Sequence, residues 1–327
     1  MSDDPQDPPV LDPAYAHAVP TWRAAYSDRT AAMMAAFAQL AYAPFQNVKA
    51  PEGQPRPEVD GGRQLLAENL KSGGFELRGL INQDDLQVFL AVNPAEFAVL
   101  AFRGTANWDD WKIDLNAGLT TLPDHKGVRV HRGFWDAFEA VSGDIRALID
   151  APDLADLGLY ITGHSLGGAL AQIASMAFER DTLAACYTFG SPRVATLDFD
   201  ELVKCPHYRI VDNWDLVPGV PPPWYWGGYL HAGDPRLLRG RRPLEVLRRD
   251  QDLLPRTWNY IWSFLIWPFT GRITVVDDHM IWNYRTRLET IAATRALVEL
   301  RQAAEDLARL RAASVGSEAT GPAPPPG

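Results

Sequence analysis

The chain has 327 residues, 46% of them hydrophobic and 22% charged, with a formal net charge of −10. That is enough apolar material for one substantial core, and an α/β enzyme of this length is commonly a single domain. The acidic balance argues against nucleic acid as the main partner, because phosphate binding needs clustered basic surface. Cys186 and Cys205 are too few for a disulfide framework and do not look like a metal site, so both are expected as free thiols.

The opening MSDDPQDPPV is acidic and proline-rich, without the basic start and apolar stretch of a secretory signal. No run reaches the ~18–20 apolar residues that span a bilayer. A cytoplasmic location is expected on these grounds. Residues 1–28 read as a flexible N-terminal segment, 29–314 as the folded domain, and 315–327, rich in Gly and Pro, as a disordered tail.

Alanines and methionines predict a helix over Arg29–Tyr42, stopped at Pro44. Residues 43–62 read as a connecting loop. Strand patterns follow at Phe75–Leu80, Leu86–Val92 and Phe97–Phe102, separated by turn residues. A helix is expected over Gly133–Asp150, then an apolar strand over Leu157–Thr162 and a helix over Leu166–Phe178. Strands at Ala184–Phe189 and Tyr208–Asp212 come next, and a long helix over roughly Ile281–Ala313 closes the pattern. Alternating strands and helices imply a mostly parallel central sheet with helices on both faces, the α/β class.

Between the strand ending at Thr162 and the helix from Leu166 stands Gly163-His164-Ser165-Leu166-Gly167. A Gly-x-Ser-x-Gly turn at a strand-to-helix junction forms a sharp elbow that exposes the serine hydroxyl above the sheet edge. Ser165 is therefore the candidate nucleophile. A serine needs a general base and a group that orients it, and on this architecture the chain order is Ser, then Asp or Glu, then His. The acid is sought beyond the strand at 208–211, where Asp215 is the better candidate and Asp212 its rival. The base is His279, just before the last helix, or His231 in an aromatic stretch. His207 precedes the acid strand and fits poorly, and His164 reads as structural.

Phe102-Arg103-Gly104-Thr105, Asn107-Trp108, Asp114-Leu115 and Val130-His131-Arg132-Gly133-Phe134 resemble the fungal-type (class 3) triglyceride lipases. So do Thr162–Gly168, Thr188-Phe189-Gly190-Ser191-Pro192-Arg193-Val194, Asp215-Leu216-Val217-Pro218, and Asp278-His279 with Tyr284. The resemblance implies an α/β-hydrolase fold and hydrolysis of acylglycerol or related esters without metal or organic cofactor. It assigns the triad to Ser165, Asp215 and His279, and the oxyanion hole to Thr105 and the backbone N–H of Leu166. It also implies a lid after Thr105, where Trp108 and Trp111 recur at helical spacing; a fixed amphipathic helix is the rival reading.

Residues 216–278 read as a cap or insertion. They hold an aromatic run, Trp258–Phe269, and a cluster of Arg236, Arg239, Arg241, Arg242, Arg248 and Arg249. A buried cap with a solvated arginine loop competes here with peripheral docking on membranes or lipid droplets. The apolar stripe of the last helix (Leu288, Ile291, Leu297, Leu300, Leu307, Leu310) is expected to pack against the domain, and the oligomeric state stays open. Three functions are carried forward: a lipase or esterase working through an acyl-enzyme, a phospholipase A or acyltransferase with the same triad, and a lipid-binding module without turnover.

Overall fold

The described residues form one eight-stranded sheet, whose strands, numbered in chain order, stand in the order β1-β2-β3-β6-β7-β8-β9-β10. The computed structural model describes residues 11, 25–46, 54–84, 86–104, 118–222, 228–238, 246–247 and 279–318, with side chains for all of these except 246–247 and 310–318. The strands are β1 (Glu76–Gln83), β2 (Leu86–Asn93), β3 (Phe97–Phe102), β6 (Gly158–His164), β7 (Leu183–Phe189), β8 (His207–Asp212), β9 (Asp234–Leu238) and β10 (Val246–Leu247). The run from β3 to β9 is parallel, while β1-β2-β3 and β9-β10 pair antiparallel. A separate antiparallel hairpin is formed by β4 (Leu119–Leu122) and β5 (His125–His131).

Alternation within the strands feeds two cores. Phe97, Val99 and Ala101 of β3 face one layer, and Ala98, Leu100 and Phe102 face the other. The first layer contains α1 (Asp28–Leu40), α2 (Gly62–Ser72) and the start of α5 (Ile281–Glu318). The second contains α3 (Arg132–Ile149) and α4 (Leu166–Ala177). Helix α1 is buried nearly all round, because its alanines let it lie between the sheet and α5. Its start is fixed by Ser27, whose hydroxyl accepts the Thr30 N–H, and by Asp28 in the positive first turn.

Some elements differ from the sequence expectation. Helix α2 fills a stretch to which the sequence reading gave no element, beyond the loop expected to end at Gly62; it starts behind Gly61 at φ 71° without a side-chain cap, so the usual start signal is missing. The β4–β5 hairpin is largely polar and buries Leu122, Val128, Val130 and His131. Strand β9 begins Asp-Pro-Arg, a poor strand signature that the neighbouring β8 overrides. The apolar stripe of α5 is corrected. Leu288 and Ile291 are buried against α1, but Leu297, Leu300 and Leu307 are exposed, because α5 runs 38 residues and outlasts the 13-residue α1.

Candidate active site

The turn between β6 and α4 holds Ser165 at φ 57°, ψ −126°, a region that non-glycine residues rarely occupy. Its neighbours must be glycine. A Cβ on Gly163 would collide with the Gly167 carbonyl, and one on Gly167 with the Phe102 carbonyl of β3. The Ser165 N–H donates to the Phe189 carbonyl at the end of β7 (3.0 Å). Leu166 opens α4, where the first N–H groups have no intrahelical acceptor and carry partial positive charge.

Beyond β8 the chain turns through Asp215, which is 1% exposed. Its Oδ1 accepts the Val217 N–H (2.9 Å). Its Oδ2 accepts both His279 Nδ1–H (2.8 Å) and the Tyr284 hydroxyl (2.6 Å). A carboxylate can only accept, so the His279 proton sits on Nδ1 and the Nε2 atom carries the lone pair a general base needs. Two side chains pin this loop: Arg193 Nη1 donates to the Pro221 carbonyl (2.8 Å), and His231 Nε2 donates to the Pro218 carbonyl (2.8 Å). His231 is thus a loop anchor.

Asp212 ends β8 and is engaged elsewhere. Its carboxylate pairs with Arg287 of α5 and accepts the Trp214 N–H (3.0 Å), while its own N–H donates to the Tyr284 hydroxyl (2.9 Å). Burial outweighs the Arg287 attraction and pushes its carboxyl up to about 6. His207 is buried, with Nε2 against the Thr188 hydroxyl (3.2 Å), and burial pulls its imidazole down to about 3.

The structure therefore brings Asp215 and His279 into direct contact and sets Ser165 at the end of β6, one strand removed from β8, with β7 between them. Gly190, next to the Phe189 that binds the Ser165 N–H, lies against both partners of the acid–histidine pair. Thr105, Trp108, Trp111, the aromatic run Trp258–Phe269 and all the arginines of the cluster except Arg236 lie outside the described residues or side chains. Arg236 pairs with Asp234 (2.6 Å) and stacks over Tyr26 (4.4 Å), so it belongs to the fold. The sequence reading gave no role to Tyr284, Arg193, Gly190, Arg287 or Tyr42. The motif Gly190-Ser191-Pro192-Arg193 was the one available signal for two of them.

A serine elbow on the middle of a mostly parallel sheet, with later strand ends and the last helix supplying acid and imidazole, is the arrangement of the α/β-hydrolase fold. The solved mono- and diacylglycerol lipase from Aspergillus oryzae shares that fold, with a TM-score of 0.55 at 24% identity over 68% of this chain and 84% of that one. Residues 99–224 match the family model "Lipase (class 3)". Among similar proteins, the secreted mono- and diacylglycerol lipase 1 of Fusarium solani is 34% identical over 154 residues, covering 45% of this chain and 46% of its own. The lipase of Rhizomucor miehei is 30% identical over 165 residues, 47% of this chain and 45% of its own. The chain thus spans about half the length of these curated relatives. The cytoplasmic expectation is corrected by this similarity: the Fusarium protein is a secreted lipase.

Proposed function

We propose that this protein is a serine-dependent lipase or carboxylesterase that cleaves acylglycerol or related esters through an acyl-enzyme. What supports this reading is the buried Asp215–His279–Tyr284 cluster together with a serine held at positive φ at the end of β6. Ser165 attacks the ester carbonyl while His279 Nε2 takes its proton, and Asp215 stabilises the imidazolium. The alcohol leaves with the proton from His279. His279 then activates water, which attacks the acyl carbon and restores Ser165. The Leu166 N–H, together with Thr105, receives the oxyanion, a role in which one donor contributes about 3–4 kcal/mol of barrier lowering. The secreted Fusarium relative supports action outside the cell.

The test is Ser165→Ala on p-nitrophenyl esters of graded acyl length, with fluorophosphonate labelling of the unmodified protein. Turnover should fall ~10⁴-fold or more in a variant of unchanged circular dichroism. Comparable turnover in the variant would reject Ser165 as nucleophile. A parallel panel of glycerides, phospholipids and alcohol acceptors sorts lipase from phospholipase and acyltransferase, and a folded protein that takes no label is a binding module.

A further inference from the structure

His279 is held twice. Its ring meets Asp215, and its main-chain carbonyl lies 2.6 Å from His164 Nε2. A carbonyl accepts and cannot donate, so His164 carries its proton on Nε2 and presents a lone pair at Nδ1. The Tyr42 hydroxyl stands 2.9 Å from that Nδ1 and donates to it. Tyr42 sits just beyond α1, with the Arg103 guanidinium over its ring at 5.0 Å. The Gly104 N–H reaches the same hydroxyl, and a Cβ on Gly104 would collide with it.

We propose that His164 and Tyr42 form a positioning bracket that fixes the main chain of His279 and ties the backbone at Gly104 to the same frame. The proposal rests on the ester-hydrolase reading. A contact through Asp215 alone leaves the imidazole able to pivot about the Nδ1–Oδ2 axis, whereas a second anchor at the carbonyl removes that freedom. Gly104 directly precedes Thr105, so the segment carrying one oxyanion donor and the segment carrying the base are keyed to the residue beside the nucleophile. His164 suits this task because it stays neutral. Burial, and then the neighbouring His279 ring 4.5 Å away, hold its imidazole well below the usual histidine range, so it does not compete for the proton that His279 takes. A merely space-filling histidine would need neither hydrogen bond.

The experiment compares His164→Phe, His164→Gln and Tyr42→Phe for kcat and KM on a soluble p-nitrophenyl ester and for the rate of fluorophosphonate labelling, with folding read by circular dichroism. His164→Phe should lower kcat and labelling rate together by about 10- to 100-fold with KM nearly unchanged, the size of loss that a misplacement near 1 Å produces. His164→Gln, whose amide N–H can reach the His279 carbonyl, should recover most of that loss. Tyr42→Phe should cost about 3- to 10-fold, and its effect should vanish in the His164→Phe background, as for two members of one unit. A folded His164→Phe labelled at the unmodified rate, or a His164→Gln no better than Phe, would overturn the bracket alone. If His164→Phe does not fold, Tyr42→Phe decides it, and labelling of that variant at the unmodified rate overturns it. An unmodified protein that takes no label would overturn the ester-hydrolase reading, and the bracket with it.

Discussion

Gly190 stands at φ +55° with its α-carbon turned toward Asp215: a Cβ there would lie 2.5 Å from Oδ2 and 3.1 Å from the His279 ring. The position is closed to other residues twice, by backbone conformation and by the acid–histidine pair filling the space. Gly190→Ala should therefore push the two apart. We expect kcat to fall ~100-fold or more, the scale of loss from a small displacement of reacting groups. Melting should report a cost of about 1–3 kcal/mol for the left-handed alanine and its crowding. Unchanged kcat would show that the site tolerates the shift.

Tyr284 joins the two aspartates, donating to Asp215 and accepting from the Asp212 N–H. Tyr284→Phe keeps the ring in the core but leaves a buried N–H and a carboxylate oxygen short of partners. Stability should drop by about 1–3 kcal/mol, the usual cost of such orphaned groups. On a soluble ester, kcat should fall about 10-fold with little change in KM, as when a group supporting the charged imidazole is lost. Chemical denaturation and steady-state kinetics measure the two effects separately.

Asp212 should make the fold lose stability as pH rises. Its carboxyl titrates near 6 when folded and near 3.8 as an unperturbed group. The native state therefore holds the proton more tightly, and the contribution is complete below about pH 4 and lost by the time pH passes 6. The slope in that window is at most about 1.4 kcal/mol per pH unit. Asp212→Asn removes this titration. The gap in denaturation midpoint between the two proteins should therefore shift in favour of the variant from pH 4 to pH 6.5. A constant gap would contradict the upward shift.

His207 acts in the opposite direction. Its folded imidazole sits near 3 against an ordinary 6.5, because burial beside Arg209 penalises the charged ring. The unfolded chain takes the proton first, so this contribution is present above pH 6.5 and lost as pH falls. Acidification from pH 6.5 to 5 should destabilise the protein more than a His207→Gln variant, by up to about 1.4 kcal/mol per unit. Parallel acid unfolding of both would remove His207 as a cause.

The central strands were legible because strands buried on both faces read as unbroken apolar runs, as in LQVFLAVN and FAVLAF. The serine turn was legible because two glycines at fixed spacing have few other uses at a strand-to-helix junction. Helix α2 was not, since it lacks a capping side chain and buries only Gly62, Leu66 and Leu70. The division of labour between Asp212 and Asp215 is decided by Arg287, Tyr284 and His279, which come from the far end of the chain, so no local pattern could encode it. Tyr42 is 122 positions from His164. Its hydroxyl could be recognised only after α1 had been placed against β6.

Helix α5 brings Tyr284 and Arg287 to the strand ends, and His279 stands two residues before it. During synthesis the serine elbow and Asp215 leave the ribosome first and can fold while the imidazole is still unmade. The nascent chain then has the proposed nucleophile without its proposed base. On the proposed reading, the site is completed only when α5 has been made and docks on α1.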